Sequence, residues 1–238
     1  FGQKSNPPYP LNFGIWGAYN GNFFTEDLKY YYSGGLLARS ISESKFGSGW
    51  GLGGIINIPI SKNFAFTGRL GYNWLSQDLN FIDYDYTTDS YTTYVDAVKI
   101  DLAYFEITPG ILWYPLLPNF ENIYFMGAIE IGSFTTKDIT NSYLQVAGEI
   151  PDVKSRFSLA LGAGWTIPIS NNIYLTPEVT FRLPLTKVSE ASYPNNVGFH
   201  EESISFSQLR FGLNLTFSLP KVEEYPEPYK APPAEVGF

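Results

Sequence analysis

The sequence predicts an all-β chain: an eight-stranded, antiparallel, up-and-down transmembrane β-barrel. Three observations carry this reading. The 238 residues include 18 Tyr, 19 Phe, 22 Gly and 17 Pro against one His, one Met and no Cys. Such a composition suits strands and turns and works against helices, where Gly and Pro cost stability. A proline-centred element also recurs at near-constant spacing, and along the runs between its copies one face is oily while the other is polar.

The repeat sets the strand count. Ile58-Pro59-Ile60-Ser61-Lys62-Asn63 is followed by Tyr114-Pro115-Leu116-Leu117-Pro118-Asn119 and by Ile167-Pro168-Ile169-Ser170-Asn171-Asn172, and a fourth strand end stands at Leu219-Pro220. Proline ends ladder hydrogen bonding, and Ser and Asn make tight turns. Pro59, Pro115, Pro168 and Pro220 lie 56, 53 and 52 residues apart, so the unit is a pair of strands joined by a long loop. Four units give eight strands.

In order, the strands are 11–20, 50–58, 64–75, 98–114, 123–134, 157–169, 173–185 and 209–219. The first runs toward Tyr19, and the second descends from Trp50 to the first proline. The third sets Phe64, Phe66, Leu70, Tyr72 and Trp74 opposite Thr67, Arg69 and Asn73. In the fourth the oily parity changes between Tyr104 and Phe105, which predicts a β-bulge in that strand. The fifth carries Glu130 on its polar face. The sixth alternates Phe157, Leu159, Leu161, Ala163 and Trp165 with Ser158, Gly162, Gly164 and Thr166. The seventh does the same with Ile173, Leu175, Val179, Phe181 and Leu183 against Tyr174, Thr176, Glu178, Thr180 and Arg182. The last is the clearest, with Leu209, Phe211, Leu213, Leu215, Phe217 and Leu219 against Arg210, Gly212, Asn214, Thr216 and Ser218. Long polar connections are expected at 21–49, 76–97, 135–156 and 186–203.

Residue size and charge orient the two faces. A soluble barrel would have to fit the bulky apolar face inside, yet the opposite face is the one rich in Gly, Ala, Ser and Thr. The bulky face is therefore expected to meet lipid. The narrow interior then holds six charges, Arg69, Glu106, Glu130, Glu178, Arg182 and Arg210, whose signs cancel. Two aromatic rings should mark the headgroup levels: Tyr19, Trp50, Tyr72, Trp74, Tyr104 and Phe181 toward the long loops, and Phe64, Trp113, Tyr124, Phe125 and Phe217 near the short turns.

Other classes are excluded or weakened. No run of about eighteen apolar residues is present, so no transmembrane helix is expected. A net charge of −8 opposes nucleic-acid binding. Without Cys and with a single His, neither a Cys/His zinc site nor a disulfide framework can be built. The chain opens at Phe1, which reads as the product of a cleaved export leader.

The octet Arg210-Phe211-Gly212-Leu213-Asn214-Leu215-Thr216-Phe217 resembles the terminal β-signal of bacterial outer-membrane proteins, matching at Arg210, Gly212, Leu215 and Phe217. The resemblance implies that the barrel-assembly machinery recognises this strand. With its short turns and Pro-rich tail, the chain resembles the N-terminal barrel of the outer membrane protein A family. That implies a bacterial outer-membrane location among lipids and lipopolysaccharide, with both termini periplasmic and the long loops outside. The expected domains are a lead at 1–10, the barrel at 11–220 and a linker at 221–238, where Pro226, Pro228, Pro232 and Pro233 with Glu223, Glu224 and Glu227 suit an extended spacer. In that family a peptidoglycan-binding domain follows such a linker. The function implied is a non-enzymatic anchor, with other envelope proteins as further partners. A surface-binding or complex-subunit barrel and a narrow pore are the alternatives.

Two loop clusters bear on other chemistry. Asp83, Asp85 and Asp89 among Tyr84, Tyr86, Tyr91 and Tyr94 could offer oxygen ligands to calcium, but their spacing is not that of an EF-hand and equally describes a solvated hairpin. His200-Glu201-Glu202-Ser203 puts a base beside a hydroxyl, whereas hydrolase triads converge from separate elements. No catalytic residue, metal site or cofactor is assigned. The six interior charges read either as a plug or as a gated ion path, and the narrow bore of eight strands favours the plug.

Overall fold

In the computed structural model the described residues are 10–31, 38–44, 46–85, 88–115, 122–141, 146–149, 155–195 and 198–219. They form twelve strand segments: β1 (Asn12–Tyr31), β2 (Ala38–Ser44), β3 (Gly47–Pro59), β4 (Phe64–Asp85), β5 (Ser90–Trp113), β6 (Ile123–Asn141), β7 (Val146–Glu149), β8 (Arg156–Trp165), β9 (Ile167–Ser170), β10 (Ile173–Pro184), β11 (Ser189–Asn195) and β12 (Gly198–Ser218). Several are pieces of one stave: β2 with β3, β7 with β8 and β9, and β10 with β11. Eight staves result. Every pairing is antiparallel, and the ring closes where β1 pairs β12 from Asn12↔Ser218 to Tyr30↔His200. Closure leaves no unpaired backbone edge at membrane depth, which is the condition for a sheet to cross a bilayer.

The first and third proline-marked turns form as the sequence requires. At the first, Ile60 N and Ser61 N both donate to Phe64 O at 2.9 Å, and Phe64 N donates to Ser61 Oγ at 3.2 Å. Backbone bonds Tyr114 N to Asn63 O and Ser218 N to Asn172 O, at 2.8 and 2.9 Å, tie neighbouring turns together. The third copy also splits its stave, since β8 stops at Trp165 and β9 resumes at Ile167 beside Pro168.

Alternation places the faces as expected. Ile15, Leu52, Leu70, Ile107, Leu161, Val179 and Leu213 point outward and are exposed, while Asn20, Thr67, Asn73, Ser158, Thr180 and Asn214 point inward and are buried. On β1 the exposed apolar residues run from Phe13 to Phe23. At ~3.3 Å per residue and a tilt of ~40°, this gives a belt ~25 Å tall, the height of a lipid-facing band.

Three expectations need correction. The strands continue far beyond the belt: β4 and β5 stay paired to Asp85↔Ser90, so much of 21–49, 76–97, 135–156 and 186–203 is strand and not loop. Polar residues on both faces hid these extensions, because water wets either side above the membrane. Secondly, β5 holds one parity from Lys99 onward. Ile100, Leu102, Tyr104, Glu106, Thr108, Leu112 and Tyr114 are all buried, while Lys99 and Asp101 face outward at the rim. The extra residue lies on the neighbouring strand, where Ala103 pairs Thr136 and Tyr104 pairs Phe134, leaving Thr135 as the bulge on β6. Thirdly, Tyr104 and Tyr124 are lumen residues, 0% and 3% exposed, and belong to neither aromatic ring. Lumen parity decides their side, and an aromatic ring is no guide to it.

The lead 1–9, the turn residues Pro118 and Asn119, Tyr86 and the segment 220–238 lie outside the described residues, as do the side chains of Asp83, Asp85, Tyr84, Tyr94 and His200 to Ser203. Asp89 sits at the tip of the β4–β5 hairpin with φ of 51°, a left-handed conformation that Asp tolerates in turns.

Candidate functional site

The lumen carries the chemistry of this molecule. All six sequence-predicted charges point into it and are buried, and a seventh, Arg156, joins them. Glu106 on β5 is the hub. It accepts from Arg182 Nη1 on β10 at 2.6 Å, from Arg210 Nη1 and Nη2 on β12 at 2.9 Å each, and from Asn73 Nδ2 on β4 at 2.8 Å. Arg210 also donates through Nε to Asn20 Oδ1 on β1 at 2.9 Å. One carboxylate thus links four staves directly and a fifth, β1, through Arg210.

A second pair stands beside it. Arg69 on β4 grips Glu178 on β10 with both terminal nitrogens, at 2.6 and 2.5 Å. Such a two-pronged match of planar groups is the strong form of an ion pair. Tyr124 on β6 donates its hydroxyl to the same carboxylate at 2.5 Å, and Thr180 does so at 3.2 Å. The third carboxylate, Glu130 on β6, pairs with Arg182 and lies 3.4 Å from Arg156 Nε on β8.

Arg156 is held mainly by neutral groups. Its Nε donates to Ser158 Oγ at 2.8 Å, its Nη1 donates to the Tyr104 hydroxyl at 2.9 Å, and its guanidinium lies 4.0 Å from the centre of the Phe206 ring. Tyr104 passes the chain on to Gln208 Oε1 at 3.2 Å, and Gln208 Nε2 donates to Asn22 Oδ1 at 2.9 Å. Sequence reasoning stopped one residue short of Arg156. The signal was present, since 156 shares parity with Ser158, Ala160 and Gly162, but the residue abuts a polar run that reads as loop.

Strand β3 itself contributes space and no charge. Its lumen-facing Gly51 and Gly53, with Gly71 on β4, make room for Trp16: an added Cβ at Gly53 would lie 2.8 Å from the indole Nε1. The indole in turn sits 4.7 Å from the Arg210 guanidinium, a cation–π contact. Toward the short turns the lumen is filled by a buried apolar cluster that includes Leu112, Tyr114, Tyr124 and Met126. Beneath it, a cavity lined by Asn12, Asn57, Tyr114, Thr166, Thr176 and Asn214 measures about 10 Å³, room for one water.

Chemically, this arrangement holds charge still. An ion crossing the lumen would have to part hydrogen-bonded pairs at low dielectric and then pass an apolar plug, each step costing several kcal/mol by the usual estimate of about that size per desolvated charge. Among the described residues no group of three or more His, Cys, Asp or Glu is placed to hold a metal ion. Of the β-signal positions, Arg210 belongs to the lumen network, Leu215 and Phe217 face outward, and Gly212 faces the lumen. A Cβ at Gly212 would meet nothing closer than 3.8 Å, so packing in the folded barrel does not demand glycine there.

No family model matches the chain, and no curated protein matches it by sequence. Among solved structures it is similar to the outer membrane protein OprG from Pseudomonas aeruginosa, at 12% identity and a TM-score of 0.52 over 89% of this chain and 98% of that one. It also aligns with the outer membrane protein AlkL, solved in lipid bilayers, at 15% identity and a TM-score of 0.44 over 95% and 98% of the two chains. A third alignment, with the attachment invasion locus protein Ail of Yersinia pestis, covers 88% and 100% at 13% identity and a TM-score of 0.39. At this identity the likeness to OprG shows the fold, that of an outer-membrane β-barrel, and not a family.

Proposed function

We propose that this barrel is a closed, non-enzymatic anchor of the bacterial outer membrane, an immobile post to which other material is attached. The observation that carries the reading is the lumen: seven buried charged side chains drawn from β4, β5, β6, β8, β10 and β12 cross-brace the bore, and an apolar cluster stops one end. A barrel so filled gains rigidity and forfeits conduction.

The even number of staves puts both ends of the barrel on the side of the short turns. On the proposed reading that side is periplasmic, and the Pro-rich residues 221–238 run from it toward peptidoglycan or other envelope proteins, in the manner of the outer membrane protein A family. The outer wall then faces phospholipid and lipopolysaccharide. Insertion would proceed through the barrel-assembly machinery reading Arg210, Gly212, Leu215 and Phe217 on the last strand.

Two measurements test this. Purified barrel in planar bilayers should show no stable stepwise conductance; steps that change in Arg69→Ala or Glu178→Ala would replace the anchor by a pore. In cells, a chain ending at Leu219 should insert normally but lose its co-sedimentation with the cell wall. Unchanged co-sedimentation would remove the tail from the mechanism.

A second reading draws on the strand extensions. Pairing of β1 with β12 to Tyr30↔His200 and of β4 with β5 to Asp85↔Ser90 raises a paired wall beyond the belt, a platform for binding at the cell surface. Replacing Phe81 to Tyr94 by a two-residue turn would then abolish partner capture and leave insertion intact.

A further inference from the structure

Seven of the eight junctions between staves join neighbours in sequence, so a turn or loop limits how far one strand can slide against the next. The eighth does not. β1 and β12 are the first and last strands of the ring and no turn connects them, yet they pair from Asn12↔Ser218 to Tyr30↔His200. The oily pattern leaves the choice of register open as well. A slip of one residue would turn every side chain to the wrong face, but a slip of two restores the faces and leaves the ladder nearly complete. Such a slip would change the stagger of the whole ring. Side chains at the seam must therefore distinguish the observed register from those two residues away.

Two consecutive inward rows do so. In the first, Arg210 faces Asn20 and its Nε donates to Asn20 Oδ1 at 2.9 Å; in the next, Gln208 faces Asn22 and its Nε2 donates to Asn22 Oδ1 at 2.9 Å. All four side chains are buried. Nearer the short turns the seam has little to match, because Ala18 faces Gly212 and Gly14 faces Thr216, and glycine has no side chain to bond. Arg210 is also held from across the lumen. Its Nη2 donates to Asn73 Oδ1 at 2.6 Å and its Nη1 to Glu106 Oε1 at 2.9 Å, while the Trp16 ring lies 4.7 Å from its guanidinium. Asn20 Nδ2 donates to the same Asn73 oxygen at 3.2 Å. The socket for this arginine of the last strand is thus built from β1, β4 and β5.

We propose that Asn20, Asn22, Gln208 and Arg210 set the register at which this barrel closes. Sliding β12 by two residues in one sense sets Arg210 against Ala18, whose methyl group offers its Nε no acceptor. Sliding it in the other sense sets Asn20 against Gly212, which has no side chain to donate. Either slip breaks a matched pair and leaves buried polar groups unpaired, a cost that the observed register avoids. The outer wall is indifferent to the choice, since Gly17 faces Leu213 in the observed register and would face Phe211 or Leu215 after a slip. Closing the wall and seating Arg210 in the charge network are then a single event.

The chain has no Cys, so introduced pairs report the register directly, and a Cβ at Gly17 meets nothing within 4 Å, which suits that position to a probe. Three double variants of the full chain, Gly17→Cys with Leu213→Cys, with Phe211→Cys or with Leu215→Cys, are refolded from urea into phospholipid vesicles and oxidised. A disulfide reaches a direct cross-strand partner but not the residue two positions along. Leu70→Cys with Ile107→Cys, partners on β4 and β5, is the control. In the otherwise unaltered chain only the link between 17 and 213 is expected. Adding Asn20→Leu and Gln208→Leu should shift the ratio of native to slipped links by about tenfold, the size of one hydrogen bond to a charged group, and leave the control link unchanged. Arg210→Met should act in the same way, and it serves if the first variant forms no barrel. A native link that stays alone in both variants would overturn the proposal. Loss of the control link together with the seam link would overturn it too, because these residues would then support the whole lumen and not one register.

Discussion

Glu106 accepts from two guanidinium groups and an amide at 2.6 to 2.9 Å with no exposure to solvent. Glu106→Gln leaves Arg182 and Arg210 facing each other without their shared counter-charge, so a loss of about 4 kcal/mol is expected, read as a lowered urea midpoint in phospholipid vesicles. Arg156→Gln should cost less, about 1 to 2 kcal/mol. The described lumen holds four Arg and three Glu, and Arg156 is the cation held mostly by neutral partners; the reverse order of cost would locate the surplus charge elsewhere. A third variant separates folding from the folded state. Because a Cβ at Gly212 meets its neighbours only at ordinary van der Waals distance, 3.8 Å or more, Gly212→Ala should change stability by no more than about 0.5 kcal/mol, while assembly in cells slows if the strand is read as a signal. Six of the seven lumen charges were legible from parity alone. Tyr104 and Tyr124 were misassigned because ring chemistry was allowed to outweigh parity, which is the firmer guide.

Between β1, β3 and β4 the governing relation is one of size. Trp16 occupies space that Gly51, Gly53 and Gly71 leave empty, and a side chain at Gly71 would overlap the indole. Gly71→Val should therefore destabilise the barrel by about 1 to 3 kcal/mol, visible as loss of the compact form on unheated gels; normal migration would mean that Trp16 can swing elsewhere. A glycine in an alternating strand shows its face in the sequence, but the neighbour that requires it does not show, because Trp16 reaches Gly71 across an intervening strand. The bulge follows the same logic. The oily pattern of β5 pointed to an irregularity near residue 104, and the structure places it at Thr135 on the adjacent strand, where Thr135 Oγ1 donates to Ala103 O at 3.2 Å and also bonds the Tyr72 hydroxyl. Interior packing here is apolar enough to admit Ile100 and Leu102, so hydrophobicity ceased to report the face.

For the molecule as a whole, membrane burial of one face and ionic filling of the other make opposite demands on substitution. Leu213→Arg, at mid-belt on the outer wall, should cost about 3 kcal/mol in bilayer stability, whereas the same substitution at the exposed rim residue Ser133 should cost less than about 1 kcal/mol. Equal effects at the two positions would contradict the placement of the belt. Strand count and the alternation of short and long connections were predicted from the proline spacing, since each tight turn is a local event written in three or four residues, and the closed barrel was predicted from the size and charge of its two faces. The length of the staves was not, because above the belt water meets both faces and the alternation that marks a strand disappears.

Sequence by itself determined which side chains share a face, how many strands there are and which face lipid touches, because each of these depends on neighbours one, two or a few residues away along the chain. Only the tertiary structure decided that Glu106 meets Arg182 and Arg210, that Arg69 takes Glu178, and that Arg156 completes the network. Those meetings depend on the stagger at which the sheet closes, a property of the whole ring that no single strand contains.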